Sequence, residues 1–209
     1  RESAIPNRQS AIRYSMHRFF IEDSRWAGGP VELGPDESHH AARVARLRPG
    51  ERVELFTGAG RVAEAEFVCL RRDRAVLQVL PGTERQAPAP APALTLVQAL
   101  PKHPAMDGIV QKAVELGVSA VQPLITERVV VRLGAAEAVR RRERWQKISL
   151  EAARQCGAAW VPDVRPPAFL TEWLAGAPAF DLVLIGSLQP GARPFRDAAA
   201  AWRGAPPSR

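Results

Sequence analysis

The stretch VQKAVELGVSAVQPLITERVVV, residues 110–131, decides how the second half of this chain folds. Its apolar residues first recur at helical spacing as far as Leu116, and Gly117 then ends the predicted helix. An apolar run follows and predicts a buried strand that runs out at Glu127 and Arg128. A helix, a glycine stop and a buried strand within so few residues are typical of an α/β fold.

The same alternation of strands and helices extends over residues 93–209. Apolar strands are predicted at 93–100, 120–125 and 181–186, with a helix after each of them. The first strand is almost wholly apolar, as a strand covered on both faces would be. Three strands are few for a parallel sheet, so these residues are expected to form an incomplete parallel α/β domain.

The first half of the chain follows a different pattern. Short apolar clusters separated by Gly, Pro or Asp predict a small β-barrel or compact all-β module. The clusters span residues 17–21, 31–33, 52–56, 62–70 and 75–80. One helix interrupts them; Asp36 or Ser38 is expected to cap it, and Pro49-Gly50 to end it.

Composition divides the chain into four segments. Residues 1–15 lack periodicity and precede Met16, so we interpret them as an extension outside the fold. Residues 16–85 are expected to form the β-barrel. Alternating Pro and Ala at 86–92 predict a semi-rigid linker, because such a run sustains neither a helix nor a central strand. Residues 93–209 then form the α/β domain.

The motif GAGRVA, residues 58–63, fits the G-x-G-x-x-G/A pattern of dinucleotide-binding loops. That pattern requires a helix next, whereas RVAEAEFVCL continues with β-branched and aromatic residues. The segment TGAG, residues 57–60, is therefore predicted to be a hairpin turn that uses the freedom of glycine at positive φ.

The formal net charge of +7 is unevenly distributed. Residues 16–85 carry eleven basic and eleven acidic side chains, whereas residues 86–209 carry fifteen basic and ten acidic ones. Positive charge concentrates between Arg128 and Arg165, which favours an anionic partner, most commonly nucleic acid. The basic run RRRERWQK, residues 140–147, could follow a phosphate backbone or be a solvated helix face, and the charge leaves both readings open.

Several classes of protein find no support in the sequence. No apolar run approaches the ~20 residues of a membrane-spanning helix, and no signal sequence opens the chain. A cytosolic protein that does not associate with a membrane is therefore expected. Cys69 and Cys156 lie far apart, without the Cys/His spacing of a metal site, and are expected to be buried thiols. His39 and His40 are expected to act locally at a helix or to contact phosphate, and no hydrolase triad is indicated.

Polar side chains follow the predicted strands at one edge of the sheet, where the ligands of parallel α/β proteins gather. The residues after the three strands are Lys102 and His103, then Glu127 and Arg128, then Gly186 and Ser187. Glu127 and Arg128 are therefore predicted to belong to a functional site. A surface ion pair between them is the alternative.

Seven motifs follow one another in a characteristic order. They are HRFF (17–20), HHAARVARLRPGE (39–51), QALPK (98–102), QKAVELGV (111–118), PLITERVVV (123–131), RWQKISLEAARQCG (144–157) and VP (161–162). In sequence and spacing they resemble the RsmE-type enzymes, ribosomal RNA small-subunit methyltransferases that form N3-methyluridine in 16S rRNA. The resemblance extends from Met16 to about Gly186.

This resemblance implies a PUA-like β-barrel that binds RNA, followed by a SPOUT domain, which is α/β with a deep trefoil knot at its carboxyl end. It implies S-adenosylmethionine as cofactor, a cytoplasmic homodimer, and 16S rRNA or the small ribosomal subunit as partner. It also implies direct methyl transfer to uracil N3 without a metal, a reaction that depends mainly on positioning and electrostatics.

The resemblance also implies site residues. Arg128 would stabilise negative charge on the uracil oxygens and Glu127 would orient Arg128, while Gly186, Ser187 and Leu188 would contact the cofactor. The candidate RNA contacts are Arg18, His40, Arg43, Arg46, Lys102, Lys112, Arg140 and Arg144.

The chain departs from the family pattern at several positions. Val129 stands where the family has Ser, Ala158 where it has Arg, and Thr57-Gly58 where it has Asp-Gly. The family's Gly-Pro-Glu-Gly-Gly and Leu-Gly-x-x-Ile-Leu-Arg-x-Glu-Thr knot loops are not found. The chain is therefore expected to be the front part of such an enzyme and, by itself, inactive. A non-catalytic RNA-binding protein and a small-molecule α/β enzyme are the alternatives.

Overall fold

A computed structural model describes residues 16–26, 29–101, 105–127 and 134–203. The chain divides after Phe169 into two compact units, and each is described by itself. The first unit contains a β module followed by an α/β region, and the second contains two short helices.

Six strands form the β module. They are β1 (Arg18–Phe20), β2 (Pro30–Glu32), β3 (Arg52–Phe56), β4 (Arg61–Arg71), β5 (Arg74–Val79) and β6 (Arg85–Gln86). Their order in the sheet is β1-β3-β4-β5-β2, and β6 pairs with β4. Only β1 and β3 pair in parallel; the other pairs are antiparallel. The five predicted strand clusters are thereby confirmed.

The core of the β module follows from alternation along its strands. Val53 and Leu55 on β3 face the same interior as Ala63, Ala65 and Phe67 on β4, and all five are buried. Successive side chains of a strand point to opposite faces, so one apolar residue in two is enough to build this core. The outer face of β1 and β3 is left for other contacts, described below.

The predicted helix of the module is present but begins differently. It consists of α1 (Pro35–His39) continued by one π-helical turn (His40–Val44), and its N-cap is Gly34 without a side-chain cap. The expectation that Asp36 or Ser38 caps the helix is wrong. Pro35 opens the first turn, as its fixed φ favours, and Ser38 inside the helix donates its hydroxyl to the Leu33 carbonyl at 3.2 Å.

The predicted hairpin joins β3 to β4. Gly58 and Gly60 adopt φ values of +75° and +93° within it, and Phe56 pairs with Val62 across its base. A strand follows the glycines instead of a helix, because β4 continues the β-branched pattern that the sequence shows. This segment is therefore a turn and not a nucleotide loop.

The α/β region begins after a stretch, residues 87–94, that contains neither helix nor strand. It comprises β7 (Thr95–Ala99), α2 (Ala105–Glu115), β8 (Ala120–Ile125), α3 (Ala135–Cys156), β9 (Asp163–Val164) and β10 (Ala168–Phe169). All its strand pairs are parallel, in the order β10-β8-β7, with β9 also on β8. The alternating strands and helices predicted here are confirmed, whereas the limits of the four sequence segments stay a prediction.

Burial differs between the two longer strands of this sheet. β8 is buried from Ala120 to Leu124, but β7 is only half-buried. The expectation that β7 is covered on both faces is therefore wrong. β7 also lies at the edge of the described sheet, where β8 is its one partner. Trp145 on α3 and Val110 on α2 fill the core beside β8.

Two glycines end the helices as predicted. Gly117 follows α2 with a φ of +83°, and Gly157 caps α3 with a φ of +79°. Both adopt the left-handed conformation that glycine reaches without strain.

The second unit contains α4 (Leu170–Gly176) and α5 (Phe195–Arg203). The helix predicted near residue 195 is confirmed, but the strand predicted at 181–186 is wrong. Residues 181–186 are exposed and form no strand. An apolar segment becomes a buried strand only where a neighbour supplies hydrogen bonds and cover, and this unit contains no described strand to do so.

No helix among the residues described is long and apolar enough to cross a membrane.

Candidate functional site

The ends of β7 and β8 meet at one edge of the parallel sheet. Ala99 is in register with Leu124, and the Leu100 N–H donates to the Leu124 carbonyl at 2.9 Å. The residues that follow these strands therefore start side by side, as the sequence predicts. Glu127 is exposed at this edge. The other predicted residues of the edge, Lys102, His103 and Arg128, lie outside the described residues.

The candidate cofactor residues lie in the second unit. Gly186, Ser187 and Leu188 are exposed and follow no strand, contrary to the expectation that a strand end presents them. A side chain added at Gly186 would meet nothing within 4 Å. Among the described residues, none approaches Gly186 closely enough to form a cradle for a ligand.

A groove lies between the β module and helix α3. Its volume is about 900 Å³ and it is open to solvent. We call it the α3 groove. Its lining residues are Phe20, Thr57 and Gly58 from the β module, Arg140, Arg142, Glu143, Arg144, Gln146, Lys147 and Leu150 from α3, and Val161 and Asp163 after it. Two residues predicted to bind RNA, Arg140 and Arg144, are thus brought together here.

The cations of the α3 groove are paired with acids. Arg144 bonds Asp107 at 2.5 Å, and this bond raises the pKa of the Arg144 guanidinium. Arg140 bonds Glu137 at 2.5 Å, and Lys147 lies 3.1 Å from Asp36. The fourth cation of the groove, Arg142, lies 3.8 Å from Asp163. Exposed ion pairs of this kind contribute only ~0–1 kcal/mol, so phosphate oxygens can replace the carboxylates at little cost.

The aromatic residue of the basic run does not lie in the groove. Trp145 is buried in the α/β core, and its indole N–H donates to Asp107 at 3.2 Å. It therefore cannot stack on a nucleobase. The basic run supplies charge to the groove, and its tryptophan supplies packing to the core.

The other candidate RNA contacts lie apart from the groove lining. Arg43 and Arg46 are exposed at the π-helical turn and after it, and Lys112 on α2 pairs with Glu115 at 2.7 Å. His40 is half-buried against the Phe19 ring, 5.7 Å between ring centroids. Burial, followed by the nearby Arg154 charge, lowers the pKa of His40.

Arg18 does not lie on an open surface. Its Nε donates to Glu54 at 2.6 Å, and its Nη1 donates to the Ala153 carbonyl at 2.9 Å. Further bonds run to the carbonyls of Arg154 and Ala158, both at 3.2 Å. The guanidinium also lies over the Phe56 ring, 4.5 Å from its centroid. With its donors engaged, Arg18 is removed from the proposed RNA contacts.

A second buried contact was not foreseen from the sequence. Glu37 of α1 forms an ion pair with Arg154 of α3 and accepts a 3.2 Å bond from the Phe20 N–H. Burial raises the pKa of Glu37 to about 7, while Arg154 and the Phe20 N–H act in the opposite direction. No local pattern indicates this pair, because its members are 117 residues apart.

The cysteines are free. Cys69 is half-buried and Cys156 is exposed, so the expectation that both are buried is wrong. Within the described part of the chain, no group of three or more His, Cys, Asp and Glu is arranged to hold a metal.

Comparison with known families matches both parts of the chain. Residues 33–80 match the RNA methyltransferase PUA domain, and residues 88–204 match the RNA methyltransferase domain. The fold and these matches define the class: a PUA-like β module followed by a parallel α/β RNA methyltransferase domain.

The relatives narrow this class. Ribosomal RNA small subunit methyltransferase E of Synechocystis is 31% identical over 187 residues, which cover 88% of this chain and 59% of that protein. The Bacillus subtilis enzyme of the same name is 30% identical over 176 residues, which cover 81% and 67%. The chain belongs to the RsmE-type family of small-subunit rRNA methyltransferases.

A solved structure agrees with this assignment. Ribosomal RNA small subunit methyltransferase E from Neisseria gonorrhoeae, bound to S-adenosyl methionine, superposes with a TM-score of 0.71 at 36% identity. The match covers 79% of this chain and 67% of that one. This chain thus spans about three fifths to two thirds of the length of these relatives.

Proposed function

We propose that this protein methylates N3 of a uridine in 16S rRNA, with S-adenosylmethionine as the methyl donor. The observation that carries the proposal is the match of residues 88–204 to an RNA methyltransferase domain, preceded by the matching PUA domain. The Neisseria relative bound to S-adenosyl methionine supports the choice of cofactor.

We further propose that RNA lies in the α3 groove. The groove has one wall from the β module and one from α3, so a single strand in it would contact both parts. Arg140 and Arg144 would exchange their carboxylate partners for phosphates, and Arg142 and Lys147 join the proposed set. Arg43, Arg46 and His40 remain proposed RNA contacts on the β module. Lys102 and Lys112 remain proposed RNA contacts in the α/β region.

The chemistry is proposed to occur at the end of β8. Loss of the N3 proton places negative charge on the uracil oxygens, and a guanidinium at Arg128 can stabilise that charge. Glu127 is proposed to orient Arg128. Its side chain is exposed just after the end of β8.

The contacts with the cofactor are proposed from the family resemblance alone. Gly186, Ser187 and Leu188 are open to solvent, and the described residues near them do not form a cradle. We therefore derive no step of the reaction through the cofactor. A cytoplasmic homodimer that acts on 16S rRNA or the small ribosomal subunit is likewise proposed.

The test is methyl transfer by a form of the protein that carries the family's knot loops, with small ribosomal subunits that lack the modification as substrate. N3-methyluridine is detected as a stop in primer extension. Arg128→Ala is expected to lower the turnover about 10²–10³-fold, as for loss of one charge-stabilising donor, with RNA affinity nearly unchanged. Arg52→Ala, at an exposed arginine of β3, is the control and should behave as the parent protein. An equal loss of RNA affinity in Arg128→Ala would place Arg128 on the phosphate backbone instead.

A second function is RNA binding without catalysis, and the exposed cations of the α3 groove favour it. Salt-dependent RNA binding without any methyl transfer, in the form that carries the family's knot loops, would establish it. Absence of RNA binding at moderate salt would instead favour a small-molecule enzyme.

A further inference from the structure

The β module is docked onto α/β residues 153–161, which we call the docking segment. Its first part is the carboxyl end of α3, where the last carbonyls of a helix carry partial negative charge. Arg18 donates to three of the segment's carbonyls, those of Ala153, Arg154 and Ala158. A β-module cation therefore caps a helix of the α/β region.

A second contact lies beside the first. Arg154 projects from the docking segment to Glu37 of α1, and both side chains are about nine-tenths buried. Arg154 also pairs with Glu151 on its own helix at 3.1 Å. Because a buried ion pair requires close geometry to offset its desolvation, this contact tolerates little relative movement.

The hairpin between β3 and β4 makes the third contact. The Gly60 N–H donates to the Ala159 carbonyl at 3.0 Å, and the Val161 N–H donates to the Gly58 carbonyl at 2.9 Å. A side chain at Gly60 would lie 2.6 Å from the Trp160 ring. The hairpin and the docking segment thus approach at backbone distance.

The same elements carry the α3 groove. Phe20 is on β1 two residues after Arg18, Gly58 is in the docked hairpin, and the groove cations are on the helix that Arg18 caps. We propose that Arg18 is a positioning residue that fixes the separation of the two groove walls. This inference rests on the proposed RNA-binding function for its consequence, but not for its geometry.

The Pro/Ala run before β7 does not by itself set the orientation of the two modules. Such a run alone predicts a semi-rigid spacer that would let two domains change orientation. The docking contacts remove that freedom, so the RNA groove exists before RNA arrives. Binding then requires no ordering of the two modules.

The first test measures the distance between the modules without RNA. Nitroxide labels are placed at Val68→Cys on β4 and Val139→Cys on α3, two exposed positions, in a Cys69→Ser/Cys156→Ser background. One narrow distance distribution is expected, and a broad one would overturn the proposal whatever the variants do. Arg18→Met, which keeps the apolar stem on Phe56, is expected to broaden it. Arg18→Lys should restore it in part, and the control Arg52→Ala should leave it narrow.

The second test separates positioning from direct contact with phosphate. For transcribed 16S rRNA, Arg18→Met is expected to lower the affinity about tenfold without changing the slope of log K against log salt. Loss of a phosphate contact reduces that slope by ~0.7–0.9. A reduced slope, or an unbroadened distance distribution in Arg18→Met, contradicts the positioning role. If the parent protein binds no rRNA, the proposed function fails while the distance measurement still decides the docking.

Discussion

Two groups of cations on or against helix α3 differ in burial. Arg154 near its carboxyl end is 10% exposed and Arg18, which caps that end, is 11% exposed, whereas Arg140 and Lys147 nearer its amino end are each 71% exposed. All four have an acidic partner. The partner of a buried cation cannot be exchanged for water, while the partner of an exposed one can. Burial, and not charge, therefore separates cations that hold the fold from cations free to bind.

The largest change in the free energy of unfolding is expected when a buried cation is removed. Arg154→Ala removes one partner of the Glu37 pair and leaves a carboxylate in a desolvated site. The expected loss in the free energy of unfolding is about 3–5 kcal/mol, measured by urea denaturation at pH 7.5. Arg52→Ala should change it by less than ~0.5 kcal/mol. If the two variants prove equally stable, burial does not separate the two groups of cations.

A smaller change in the free energy of unfolding is expected from a change of pH. The pKa of Glu37 is about 7 in the folded protein against 4.5 as its ordinary value, so the folded state binds more protons between these pH values. The free energy of unfolding should therefore fall as pH rises from about 4.5 to 7, by up to ~3 kcal/mol from this group.

The neutral variant Glu37→Gln isolates this contribution. His40 acts with the opposite sign, because its lowered pKa makes the folded state gain stability as pH rises. Arg154, Glu151 and Asp36 also face Glu37, and they remain in both proteins. The difference between parent and variant, followed by urea denaturation from pH 4.5 to 8, should thus have the slope of Glu37 alone. A difference that does not vary with pH would show that Arg154 keeps Glu37 ionised throughout.

The smallest effect on stability is expected at the exposed end. Arg140→Gln removes an exposed pair with Glu137, so the free energy of unfolding should change by less than ~1 kcal/mol. The salt slope of rRNA binding should nevertheless fall by ~0.7–0.9, as for one phosphate contact. Arg52→Gln serves as the control on both measurements. An unchanged slope in Arg140→Gln would remove Arg140 from the proposed RNA contacts.

Local patterns in the sequence were sufficient for most of the elements. Alternation predicted the strands of the β module, and helical spacing with Gly117 and Gly157 predicted where α2 and α3 end. The hairpin at residues 57–60 followed from its glycines and from the strand after them. Each of these features depends on neighbours within a few residues, which is the range that a single sequence displays.

The missed features depend on distant partners. Arg18 is of a residue type that commonly contacts RNA, but its guanidinium is engaged by carbonyls 135 to 140 residues away. Residues 181–186 have the composition of a buried strand, yet they are exposed, because apolar composition does not supply a pairing strand. The candidate catalytic and cofactor residues remain predictions for the same reason.

The docking contacts have a consequence for how the chain folds during synthesis. The last strand of the β module ends at Gln86, and the docking segment ends at Val161, about 75 residues later. At ribosomal rates the module has roughly 4–15 s to fold before its partner is complete. During that interval Arg18 and Glu37 are solvated on the nascent module. Their desolvation is therefore deferred to a late step, in which the finished helix closes onto a module already folded.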